Sequence, residues 1–171
     1  MTPADLAERY RQRTTDLAEA NEATVVGAWE RQGEPERFAT LAGAVTAVAN
    51  VAAVRLADLY VQDALALARR SVVLVEAADP SLYARPRLIA ESFRTIARDD
   101  GSVGRIARVA RSEPLAAGHA RMNRQARQHG RWVRVTSAGA CRICAPRSGE
   151  TIDPDLGVSL HTSCTCTATP T

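Results

Sequence analysis

Four cysteines and one histidine are the residues in this chain whose types and spacing could do chemistry. Cys141 and Cys144 form a C-x2-C pair. After sixteen residues come His161, Cys164 and Cys166, an H-x2-C-x-C pattern. Thiolates and imidazoles at such spacing are the donors of a tetrahedral zinc site, which takes four N or S ligands at roughly 2.0–2.3 Å. Two ligands would come from a tight turn and two from a later one. Five candidates compete for four places, and the spacing leaves open which four bind. A full complement leaves no open position, so the site would be structural. Three other readings stand beside it: disulfide bonds, thiols packed as small hydrophobes, and a cysteine nucleophile with His161 as its base. No signal peptide accompanies the cysteines, which points to a reducing cytosolic setting. The flanking residues carry no nucleophile signature, and no G-x-S-x-G, P-loop, G-x-G-x-x-G or H-E-x-x-H motif is present. An enzyme is therefore not expected.

The second chemical feature is arginine. All 22 basic residues are arginine, and none is lysine. Residues 1–100 hold 12 arginines against 15 acids, a net −3, whereas residues 101–171 hold 10 against 4, a net +6. Arg121, Arg124 and Arg127 step by three, and Arg131 and Arg134 follow. The spacing predicts one arginine-bearing side that could neutralise phosphates on double-stranded DNA without reading sequence. A solvated helix face, or pairing with the acidic N-terminal half, is the competing explanation. No aromatic residues interleave with the arginines, which argues against stacking on single strands.

These groups need a scaffold. The chain has 171 residues, enough for one domain with a sizeable core. It is 46% hydrophobic and 24% charged, which excludes wholesale disorder. Thirty-two residues are alanine and only 4% are aromatic, a balance that favours slim helical cores. The longest uncharged run, Phe38 to Val54, is alanine-rich and shorter than a membrane span requires.

Thr2-Pro3-Ala4-Asp5 is a helix start, and Gly33-Glu34-Pro35 separates that helix from a second over about 35–78. In the second, Phe38, Leu41, Val45, Val48, Ala52, Leu56 and Leu59 recur at helical spacing, with Val51 and Val54 widening the stripe. Such an arc exceeds what one neighbouring helix covers, so Val48, Val51 and Leu59 are expected at an interface. Further helices are expected over about 86–99, 102–112 and 114–129, the last two separated at Pro114. Trp132-Val133-Arg134-Val135 alternates as a strand. The expected fold is mainly α: a long helical hairpin and assembly region over 1–80, then a small α+β C-terminal unit over 81–171 with a zinc-knuckle-like end.

The order of elements after residue 100 resembles the C-terminal region of the MuF-like minor capsid proteins, the phage head-morphogenesis family. Arg108-Val109-Ala110-Arg111-Ser112-Glu113 is similar to the family's A-R-[TS]-E element. An arginine-bearing helix, Gly130, the strand at 132–135, Cys141-x-x-Cys144, Gly149 and His161-x-x-Cys164-x-Cys166 follow in the family's order. The chain departs from the pattern at Ala138-Gly139-Ala140, Thr162 and Thr165. The resemblance implies a structural protein of a tailed bacteriophage. It would lie inside the head near the portal, after assembly in the host cytoplasm. It would contact portal protein and capsid or scaffold proteins, assist DNA packaging or ejection, and could form a homo-oligomer. The alternative from another class is a cytosolic zinc-binding regulator that binds nucleic acid.

Overall fold

The computed structural model describes residues 1–68, 78–136, 140–153, 157 and 164–171. It is mainly helical, as the alanine content requires. Helix α1 spans Pro3–Gln32, α2 Pro35–Leu67, the short α3 Ser81–Ala84, α4 Pro86–Asp99 and α5 Val103–His129. Strands β1 (Trp132–Val135) and β2 (Thr167–Pro170) pair antiparallel, Trp132 opposite Pro170 and Val135 opposite Thr167.

The helix signals act as written. Thr2 and Asp5 form a reciprocal capping box with Pro3 at the first helical position. Gly33 ends α1 in the left-handed conformation (φ 62°), donating to the Trp29 carbonyl at 3.2 Å. The chain then reverses, and α2 packs antiparallel on α1. Tyr10 stacks on Tyr60 near one end, with ring centroids 4.7 Å apart, and Trp29 meets Phe38 at the other. Gly43 allows α4 to cross closely, since a Cβ there would lie 2.7 Å from both the Ala90 Cβ and the Pro86 carbonyl. Helix α2 stops at Leu67, with Ala68 as its C-cap, short of the expected residue 78, which is not helical; residues 69–77 lie outside those described. By length and composition alone α2 could cross a membrane, although half of its most apolar window is buried inside the bundle.

Two apolar clusters form the core. One joins Val25, Phe38, Ile89, Phe93 and Ile106 at the α1–α2 turn. The other joins Leu6, Tyr60, Val61, Met122, Trp132 and Ile152 at the opposite end. Both draw on residues from either side of position 80, so the expected boundary between hairpin and C-terminal unit runs through shared cores.

One expectation fails outright. The helices over 102–112 and 114–129 are a single helix, with Pro114 inside it. Proline has no N–H, so the Ala110 carbonyl loses its intrahelical partner. Asn21 of α1 supplies the replacement, its Nδ2 donating to the Ala110 carbonyl at 2.7 Å and to Thr46 Oγ1 at 3.2 Å. A side chain 89 residues away thus carries α5 through its proline.

Candidate metal centre

The four candidate cysteines sit where the two-stranded ribbon meets the helical bundle. The Cys144 and Ala145 amides both donate to the Cys141 carbonyl, at 3.0 and 2.9 Å, which closes the C-x2-C segment into a tight turn before a 3-10 turn at Ala145–Arg147. Cys164 and Cys166 immediately precede β2. The backbone around them is pinned from several sides. His119 Nε2 of α5 lies 3.0 Å from the Cys166 carbonyl, and the Tyr60 hydroxyl of α2 donates to the Ala168 carbonyl at 2.5 Å. On the other edge of β1, the Arg134 amide donates to the Glu150 carbonyl and the Ile152 amide to the Trp132 carbonyl, at 2.9 and 2.8 Å.

Cys144, Cys164 and Cys166 are buried, and their Sγ atoms lie within 4.8 Å of one another. This is a group able to hold a metal ion. The Cys144 and Cys164 sulfurs are 3.7 Å apart. That matches the edge of a tetrahedron with metal–sulfur bonds of ~2.3 Å, which is about 3.8 Å. Cys141 is exposed and lies outside this trio, although its thiol hydrogen-bonds that of Cys144. His161 lies outside the described residues. The expected five-residue set thus resolves into three buried thiols together and Cys141 at their edge.

Without a cation these thiols resist ionisation. Burial pushes Cys144 up to about 11, aided by its hydrogen bonds to Cys164 and Cys141. The Cys166 thiol is raised too, first by its hydrogen bond to Cys164 and then by burial. Sulfurs so close cannot all carry charge in an apolar site unless a metal neutralises them, and metal binding would release their protons. His119 was not legible in the sequence. A single histidine inside a helix has no spacing signal, and its place is set by how α5 meets β2.

The arginine set does not form one face. Arg121 is only 4% exposed and pairs through Nε with Asp58 of α2 at 2.5 Å. The Gln125 amide, with its oxygen towards Arg121, accepts from the two terminal nitrogens at 3.2 and 3.1 Å and donates to His129. Arg134 is likewise 4% exposed and donates to the Gly157 carbonyl at 3.4 Å. Neither can reach a phosphate. Three residues turn a helix through about 300°, so each step of three falls ~60° short of a full turn. The row therefore winds from the core at Arg121 to solvent at Arg124 and Arg127, which are exposed together with Arg131. Upstream, Arg111 pairs with Glu19 and Glu22 at 2.9 and 3.3 Å, and Arg105 pairs with Asp99 and Asp100 at 2.8 and 3.2 Å. The acidic N-terminal half takes up part of the charge.

On α2, Val48 is 72% exposed and Leu59 55%, with Val51 partly buried between them. They line an apolar groove with Leu17 of α1, Leu56 and Ala84. Comparison of the chain with family models, curated proteins and solved structures returns no match.

Proposed function

We propose that this chain is a structural head-morphogenesis protein of the MuF-like type. In this reading it lies inside a phage head near the portal, with a zinc ion stapling its C-terminal end and the outer face of α2 serving assembly. The observation that carries the assembly role is the exposed apolar stripe of Val48, Val51 and Leu59. An apolar strip of this kind on a helix otherwise packed in a bundle marks an interaction surface. The ordered elements of residues 108–166 support the family reading. Zinc fits the trio best, because buried thiols at tetrahedral spacing suit a cation with soft ligands and no redox chemistry.

The test is incorporation. When the chain is co-expressed with the portal, scaffold and major capsid proteins of its own genome, purified heads should contain it. Val51→Glu should remove most of it from the heads while leaving the isolated chain helical. Heads that retain the Val51→Glu protein at the wild-type level would exclude this face from assembly.

A second contact is with packaged DNA, through the exposed Arg124, Arg127 and Arg131. Binding should be weak, indifferent to sequence and salt-dependent. Each phosphate neutralised adds about −0.9 to the slope of log K against log salt, so three contacts give about −2.7. Arg124→Ala should flatten that slope by about 0.9. The buried Arg121 should have no effect on it. An affinity unchanged between low and moderate salt would remove DNA from the account. The regulator reading requires tight binding to a defined duplex, and burial of Arg121 and Arg134 takes two of its five cations away from any such surface.

A further inference from the structure

We infer that the outer face of α2 is covered by a second copy of this chain, the two α2 helices running antiparallel about a two-fold axis at the level of Asn50. The inference deepens the assembly reading of this face but does not depend on the phage setting.

The argument starts from the order of residues along the face. Arg37, Leu41, Ala44, Val48, Ala52, Arg55, Leu59 and Asp63 recur at steps of three and four, and with Val51 they share one side of the helix. Each is exposed or only partly buried. From Leu41 to Ala52 the row is apolar, and Arg55 is the one charge between its ends. Its ends carry opposite charges, Arg37 thirteen residues before Asn50 and Asp63 thirteen residues after it.

A two-fold contact requires one patch complementary to itself, and this row meets that requirement when reversed. Rotation about the level of Asn50 sets Leu41 opposite Leu59 of the second copy and Val48 opposite its Ala52. It also brings Arg37 to its Asp63, twice over by symmetry. Within its own chain Arg37 meets only Glu34, at 3.1 Å and exposed, and Asp63 makes no ion pair among the described residues. Arg55 lies on the groove wall, where its stem can cover apolar surface while its guanidinium reaches the rim. A parallel arrangement would instead place Arg37 beside Arg37 and Asp63 beside Asp63, like charges at both ends.

Sedimentation equilibrium of the purified full chain in reducing buffer, with no phage component present, reads this directly. The expected mass at tens of micromolar is twice the 18.4 kDa of the chain. Val48→Asp should raise the dimer dissociation constant at least about tenfold, as for a residue central to an interface. Its helical circular dichroism should not change, because the side chain is exposed in the single chain. Arg37→Asp and Asp63→Arg should each weaken the dimer about fivefold. The exchange of both in one chain should restore it, and this recovery reads the antiparallel register. A monomer at all concentrations overturns the inference, and binding of that monomer to portal protein or to lipid vesicles instead would name the true occupant. A dimer indifferent to Val48→Asp, or one that the double exchange fails to rescue, overturns it equally. A dimeric chain that never enters heads would leave the inference standing and remove the phage reading alone.

Discussion

Replacing Cys144 by Ser, or stripping the protein with a strong chelator, should unfold the C-terminal ribbon and leave the helical body standing. The two strands are four residues each, and beyond their mutual pairing β1 gains only a single bridge, Val133 to Thr151, among the described residues. A ribbon so short is marginal without an additional constraint. The buried sulfurs of Cys144, Cys164 and Cys166 are where a metal would tie the C-x2-C turn to the start of β2. Structural zinc contributes on the order of 10 kcal/mol or more of apparent binding free energy in small zinc-dependent modules. That far exceeds what the ribbon's own hydrogen bonds provide. Purified protein should contain about one zinc per chain, and Cys144→Ser should contain almost none. Trp132, 1% exposed beside Tyr60 and Ile152, is the natural reporter. Its fluorescence should shift to the red on metal loss, and proteolysis should begin beyond residue 131. Far-UV circular dichroism should fall only slightly, because the cluster of Val25, Phe38, Ile89, Phe93 and Ile106 holds α1, α2, α4 and α5 together without the ribbon. Metal-free protein in reducing buffer, with all four thiols reacting at once and Trp132 still buried, would sink the proposal.

The second large effect is at the Arg121–Asp58 pair. Asp58→Ala should destabilise the protein by about 3–5 kcal/mol, since it leaves the buried Arg121 guanidinium without its counter-charge, and Arg121→Ala should cost less, since the Asp58 carboxylate is partly exposed. For a chain of this size the loss at Asp58 corresponds to a fall in Tm of roughly 10 °C. Replacing both residues together by apolar side chains of similar volume should cost much less than the two single changes combined, because no charge is then stranded. Arg124→Ala, three residues along the same helix, should fall within about 0.5 kcal/mol of wild type, as surface changes do. Equal losses at Arg121 and Arg124 would show that Arg121 is not held as described. The contrast also separates the two roles that the sequence gives these arginines alike. One stabilises the bundle and the other is free to meet an anion.

Which parts of the molecule were legible follows from the range of the interactions that fix them. Capping boxes, proline starts and glycine stops act over three or four residues, so α1, the start of α2 and the bounds of α4 could be read from the chain. The alternation of Trp132 to Val135 located β1 for the same reason. The exposed stripe on α2 was legible only in part, since Leu41, Val48 and Leu59 are exposed while Phe38 and Val54 of the same periodic set are buried. The arginine row was misread because linear spacing cannot say which side of α5 faces the core. That is decided by Asp58, 63 residues upstream, which supplies a partly buried carboxylate to one arginine of the row.

The sequence by itself determined a mainly helical chain with its sulfur donors gathered near one end. Composition sets helix content, and ligand types and spacings set which chemistry a cluster can do. Only the tertiary structure decided which donors meet, since Cys144, Cys164 and Cys166 converge through the pairing of β1 with β2 and the seat of β2 on His119 and Tyr60. Only the tertiary structure, too, carried α5 unbroken through Pro114. Proline forbids its own hydrogen bond locally, and the partner that the freed carbonyl finds, Asn21, is set by how α1 lies against α5.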